Sequence, residues 1–430
     1  MRSNPSCRIV LQLAVLAIAT SLAAQPQQGP PGPFNPPNPP EPPNQSVPRA
    51  PRLRPPPPPI IVKSGGTHLG DPLPGLTPQQ TTDFKNGLEE FQSVDTPESG
   101  LGPIFNNVSC VACHSVPAPG GSSPITATRF GRMTNGVFDP LTELGGSLLQ
   151  QFAIDPACQE VIPPQANVVA KRQTTPLFGL GLIEAIPDAT IQHNASAPKP
   201  DGVKGTVSMV QDVATGTTRV GRFGWKAQQA TLLSFAGDAY VNEMGITSRL
   251  FPTENAPNGN TNLLAEFDKI GDPEDQIDPV TGKSDIDRFA DFMRLLAPPQ
   301  AQPLGPNGHL GQSLFMQVGC AVCHTPSMMT GTNAIHALDR KPVGLYSDLL
   351  LHDMGSLGDG IAQGTATIHQ MKTPPLWGLR ASGPYLHDGR AATVDQAIRA
   401  HDGEAARATG RYLKMTPVQQ KDLLEFLNSL

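Results

Sequence analysis

The chain is poor in aromatic residues and poor in charge. Aromatics make up 5% of its 430 residues and charged residues 16%. No basic run and no stripe of basic and aromatic residues occurs, which argues against nucleic acid as a partner. The formal net charge of −6 is mildly acidic. The apolar run at Ile9 to Ala19 is too short for a comfortable membrane span. No stable span is therefore expected once that segment is cleaved. Cysteine is scarce, with six residues, and four of them fall in two matching places.

Those places are Cys110-Val111-Ala112-Cys113-His114 and Cys320-Ala321-Val322-Cys323-His324. Two cysteines, two spacers and a histidine are what covalent c-type haem attachment requires. The thiols add across the porphyrin vinyl groups, and the histidine on the same turn reaches the iron. The four cysteines could instead bind zinc, or form disulfides or a redox pair. A histidine following both copies, an exported chain and repeated flanks favour two covalently bound haem c groups. A porphyrin also supplies an apolar body of its own, which lets a core manage with few aromatics.

Residues 1–24 read as a secretory signal: Arg2 and Arg8, the apolar run, then Ser21-Leu22-Ala23-Ala24. The periplasm is the expected location. Residues 25–75 hold many of the 48 prolines and read as an extended tether. Order is expected from Thr77-Pro78, a good helix start, with Phe84, Leu88 and Phe91 at helical spacing. Residues 115–170, rich in Pro, Gly and Ser, read as loop wrapped around the haem. Thr206 to Val220 alternates weakly around Thr215-Gly216, as in a small hairpin. Ile286 to Leu296 and Leu423 to Leu430 read as amphipathic helices. Cys158, left over, is a buried thiol or a reactive one.

The two halves repeat. Phe105 to Pro117 matches Phe315 to Pro326, and Thr174 to Leu180 matches Thr373 to Leu379. Gly224-Trp225-Lys226 corresponds more loosely to Asp388-Gly389-Arg390. The fold class expected is mainly α, with two cytochrome-c-like haem domains (76–300 and 301–430), long loops and at most a small β-hairpin.

The residue facing each iron decides between carrying electrons and binding peroxide or oxygen. No histidine lies between His114 and Lys171, and Met133 is the only thioether there. The first haem thus has an open side in prospect, although Met133 or His193 as a ligand would make the protein a plain carrier. Glu243, after the helical run Leu232 to Tyr240, could move the proton of hydrogen peroxide from the near oxygen to the far one. A lone glutamate also reads as a solvated helix end.

The segments Gly102–His114, Thr174–Pro187, Gly221–Pro252, Tyr346–Gly355 and Pro384–Glu404 resemble the bacterial diheme cytochrome c peroxidase superfamily. The resemblance is strongest to its di-haem oxidoreductase branch, also called thiol oxidoreductase. It implies an oxidoreductase, peroxidase-like, that takes electrons from a periplasmic donor protein. It places Glu243 at the catalytic glutamate and Trp225 near the tryptophan that relays electrons between haems. His401 falls where the peroxidases keep a methionine ligand, which would make the second haem bis-histidine. The family's bridging calcium uses an asparagine and a Thr-x-Pro pair. Gly179 and Ser382-x-Pro384 stand there instead, which puts the calcium in question. Two alternatives remain beside the peroxidase: a diheme electron carrier, and an oxidase or oxygenase of an organic or protein substrate.

Overall fold

The structure is a computed structural model that describes residues 68–430. The expected export signal, and the expected tether as far as residue 67, lie outside the described residues. The chain meets the body before Thr77: Pro72 bridges to Leu296, and Leu73 is buried.

Thr77 opens the first helix with a capping box. Its hydroxyl accepts from the Gln80 N–H, and the Gln80 side chain accepts from the Thr77 N–H. The helix runs Pro78–Gln92. Its apolar face packs on the helix Asp285–Leu295, whose Ile286, Phe289 and Phe292 are buried. The Phe84 and Phe91 rings lie 5.4 and 4.6 Å from that of Phe292. Burying each such side chain contributes on the order of 2 kcal/mol. Phe91 also lies 6.1 Å from the His114 ring, so this helix pair backs the first Cys-x-x-Cys-His turn.

A second helix pair backs the second turn. Pro306–Val318 leads directly into Cys320–Val322 and packs on Pro417–Ser429. Phe315 and Phe426 meet edge-on at 5.4 Å. A smaller hydrophobic cluster forms here, around Tyr412 and Leu423. The larger one draws residues from both sides of residue 300, from Leu73 to Leu350.

Helix accounts for 37% of the described residues and strand for 16%, so the expectation of at most a hairpin is corrected. The expected hairpin is there, as Ser208–Asp212 paired with Thr217–Gly221. Beside it, Thr126–Thr134 is the centre of a four-stranded sheet with Val137–Asp139, Leu148–Leu149 and Val168–Gln173. Thr126 pairs with Gln173 and Gly131 with Val168. This region reads as loop because its strands are short, their partners are far along the chain, and Gly and Pro separate them. Its apolar positions show no sustained period of two, since both faces of Thr126–Thr134 are partly covered. Among the described residues, no helix is long and apolar enough to cross a membrane.

Candidate functional site

Two clefts stand at the two Cys-x-x-Cys-His turns. The first encloses about 1350 Å³ and the second about 1430 Å³, each figure including its mouth. Cys110, Cys113 and His114 line the first. Cys320, Cys323, His324 and His401 line the second. All four cysteines are free thiols, with no disulfide among them. Burial pushes the Cys113 thiol up to about 11 and that of Cys320 up to about 12.

The three histidines share one arrangement. Nδ1–H of His114 donates to the Gly121 carbonyl at 3.2 Å, that of His324 to Tyr346 at 3.0 Å, and that of His401 to Ala397 at 2.7 Å. A carbonyl only accepts, so each bond fixes the tautomer and leaves Nε2 with a free lone pair. That is how metal-ligating histidines are held. Burial lowers the pKa of all three, that of His114 and His324 to about 4, so the rings are neutral. The His324 and His401 rings lie 6.5 Å apart, centroid to centroid. Two metal–imidazole bonds of about 2.0 Å each, plus the two ring radii, need about that much room. The donor sets and clefts therefore fit two haem c groups.

The walls of the two clefts differ. In the first, the helix Leu232–Ala239 runs on into a π-helical turn, Tyr240–Met244. Such turns insert an extra residue and re-aim a side chain, frequently at functional sites. Glu243 thereby lines the cleft. Its carbonyl accepts from the N–H groups of Asn106 and Asn107, at 2.7 and 3.2 Å. Its carboxylate accepts from the Asn106 side chain at 2.7 Å. The Asn106 amide is oriented in turn by the Gln151 N–H, which donates to its Oδ1 at 3.0 Å. Gly245 follows at φ +68, and a Cβ there would meet Gly102 Cα and Ile104 O at 2.8 Å. Only glycine allows this close approach, which presses the turn onto the segment leading to Cys110.

Burial raises the Glu243 pKa, Asn106 and Arg129 oppose the rise, and Asp238 adds to it. The sheet also lines this cleft. It contributes Arg129, whose buried Nε has no hydrogen-bond partner among the described residues. A porphyrin edge carries carboxylates, so an unsatisfied guanidinium nitrogen here also fits the group.

In the second cleft, His401 stands beside His324 and the lining is largely apolar, with Val318, Leu357, Leu376, Val394, Ile398 and Leu427. His352 is in the lining but both its nitrogens are engaged, by Glu404 at 2.7 Å and Asp348 at 3.0 Å. Burial opposes its charge, but the two carboxylates dominate and hold it protonated. It has no lone pair to offer a metal. His387 is buried beside Trp225, edge-on at 6.3 Å.

Trp225 lines both clefts and the smaller cavity between them. Its indole N–H donates to the Gln173 carbonyl at 2.9 Å, and its own carbonyl accepts from the Lys372 N–H at 2.9 Å. The next residue, Lys226, is fully buried and pairs with Asp359 at 2.9 Å. Asp359 in turn pairs with Arg172 in the lining of the first cleft, at 2.7 Å. Met133 and His193 are outside both linings. Met133 faces Phe138 in the sheet, and His193 is exposed on the helix Asp188–Ser196. Cys158 is buried in a short turn, its thiol pKa raised by burial.

Sequence reasoning did not single out Asn106, Gln151, Arg129 or Asp359. Asn106 stood inside a quoted motif, and its place four residues before Cys110 was the available signal. The others carry no local signature.

Residues 164–430 match the family described as "Di-haem oxidoreductase, putative peroxidase". The methylamine utilization protein MauG of Methylorubrum extorquens is 27% identical over 165 residues, which is 35% of this chain and 40% of that protein. The cytochrome-c peroxidase IdrP1 of Denitromonas iodatirespirans is 24% identical over 146 residues, 28% of this chain and 39% of that protein. The chain thus spans about two fifths of the length of these curated relatives. The solved diheme peroxidase BthA of Burkholderia thailandensis aligns with a TM-score of 0.38 at 13% identity, covering 84% of this chain and 87% of that one.

Proposed function

This chain belongs to the di-haem oxidoreductase family, and from that premise we propose that it is an exported, peroxidase-like enzyme. It reduces hydrogen peroxide at the first cleft with electrons that enter through the second. Cys110, Cys113 and His114 would hold one haem c, and Cys320, Cys323, His324 and His401 the other. When bound, such a group would supply an iron that exchanges single electrons and can react with peroxide.

The observation that carries this reading is the contrast between the two walls. Glu243, held by Asn106, stands in the cleft of His114, whereas His401 stands 6.5 Å from His324. The Glu243 carboxylate, once ionised, would accept the proton of the near peroxide oxygen and deliver it to the far one, so that O–O cleavage releases the far oxygen as water; two electrons entering through the second cleft and two protons from solvent would then take the near oxygen to a second water. Such a positioned acid–base group is worth about 10²- to 10⁴-fold in rate. Asn106 keeps the carboxylate turned into the cleft, and the low dielectric around it strengthens the proton's interaction with peroxide. Trp225, fixed at both ends between the clefts, gives electrons a path from the second to the first. The two halves, 76–300 and 301–430, would each serve one haem. The signal-like residues 1–24 support the periplasm as the location and a periplasmic protein as donor.

Met133 or His193 in the first cleft would have supported the carrier reading, and neither lines it. Oxidation of an organic or protein substrate would use the same residues with a different reductant. Peroxide turnover by the purified holoprotein, with a reduced small redox protein as donor, tests the proposal. Turnover at the level of free haem would refute it.

A further inference from the structure

Behind the Glu243 turn is a second group of ionisable side chains that the proposed chemistry does not use. Glu254, Asp272 and Glu274 each bring a carboxylate oxygen to within 4.8 Å of the other two. Glu254 is 7% exposed, and among the described residues neither of its carboxylate oxygens has a hydrogen-bond partner within ordinary distance and angle. A buried carboxylate without partners forfeits its hydration and gains nothing in return. The charges acting on it come from Glu274, Asp268 and Asp272, all negative. Among the described residues only the Asn255 backbone N–H acts in favour of its charge, and no cation does.

The surrounding backbone leaves room for an oxygen cage. A Cβ added at Gly102 would lie 2.4 Å from Glu254 Oε1 and 2.4 Å from the Gly245 carbonyl oxygen. These two oxygens thus face the same space, and it exists because residue 102 is glycine. Thr247 donates through its N–H to Glu274 at 2.8 Å and through its hydroxyl to Asp272 at 2.5 Å. Both acidic residues are thereby held in place.

We propose that Glu254, Asp272 and Glu274 form a calcium site that fastens the turn following Glu243. The donors are all oxygen, with no nitrogen or sulfur, which suits a hard cation and not a zinc or copper ion. Calcium accepts carboxylates, backbone carbonyls and water together in flexible geometry, whereas magnesium demands a near-ideal octahedron and keeps most of its water. The ion would tie residues 245–254 to residues 272–274, and so hold the Gly245 turn against Gly102. This site stands whether or not Glu243 handles peroxide. The rival account is that Glu254 keeps a proton and no ion binds, consistent with a pKa pushed up to about 9 by burial and its acidic neighbours.

The test is a calcium count and a thermal unfolding curve on the full-length, haem-loaded protein. The protein is first stripped with a chelator and then returned to calcium chloride. The expected result is at least one calcium per chain and a melting temperature that rises with calcium. Glu254→Gln should bind one calcium fewer, and calcium should no longer move its melting point. Asp272 is exposed, so Asp272→Asn leaves the fold intact and should weaken calcium binding at least tenfold. A wild type whose melting point ignores calcium, or a Glu254→Gln protein with the wild-type count, would overturn the proposal.

Discussion

The two clefts begin from the same five-residue turn and finish with opposite walls. The first has a carboxylate and an amide, with a sheet supplying an arginine. The second has an imidazole surrounded by aliphatic side chains. The turns cannot account for this, because in each the motif histidine donates Nδ1–H to a carbonyl and offers Nε2. The difference comes from what the rest of the chain brings opposite. On the proposed reading, the first cleft would move a proton and the second, with an imidazole from each side, would pass only electrons.

The strongest way to break that contrast is Glu243→Gln. The amide keeps the shape and cannot take a proton, so peroxide turnover should fall about 10²- to 10⁴-fold. The low-spin spectrum of the second site should stay as it was. Unchanged turnover would remove the carboxylate from the chemistry and leave the two clefts functionally alike. His401→Ala tests the other side. Low-temperature electron paramagnetic resonance should show the second site's low-spin signal replaced by a high-spin one. A signal that persists would mean that another residue ligates there.

His352→Ala should destabilise the second half through the carboxylates it leaves behind. Breaking a buried pair costs about 3 kcal/mol, and denaturant unfolding would read it. The sign with pH follows from the partners. Glu404 is held down at about 2, against an ordinary 4.5. Its contribution is present above 4.5 and is lost as the pH falls from there toward 2. His352 is raised, so its own contribution is fully present below its ordinary 6.5, survives neutral pH, and is lost only as the pH rises through the raised value. A stability profile in which acid removes nothing extra from wild type relative to the variant would contradict the pairing.

Glu243 has the opposite thermodynamic sign. Burial raises its pKa, so the ionised group destabilises the fold above the ordinary 4.5, and that penalty disappears on acidification. Glu243→Gln should accordingly melt higher than wild type at neutral pH even as activity collapses. The acid limb of the rate profile should lie above 4.5. The smallest effect is expected from Trp225→Phe. Loss of the indole bond to Gln173 costs about 1 kcal/mol, while electron exchange between the sites slows without either site's spectrum changing. Exchange at the wild-type rate would mean that the indole is only packing.

Much of the helical frame was legible. Thr77-Pro78 announces a helix start, Ile286 to Leu296 shows its apolar stripe, and Thr215-Gly216 marks a hairpin turn. The sheet around Thr126–Thr134 was not, because pairing Thr126 with Gln173 joins residues that no local period links. The wall groups were hidden for a related reason. Arg129 on a strand, or Asp359 in a loop, looks like a solvated charge until the fold buries it against Glu243 or Lys226.

By itself the sequence determined where haem can be attached and which imidazole each turn presents. Those demands are met within five consecutive residues, on one turn of backbone. Only the tertiary structure decided what stands across each cleft. Asn106 meets Glu243, and His324 meets His401, over long stretches of chain whose closure depends on the packing of the whole core. The same packing puts Glu254 beside Asp272 and Glu274 without a counter-charge, which is a property of the burial they share and of no residue alone.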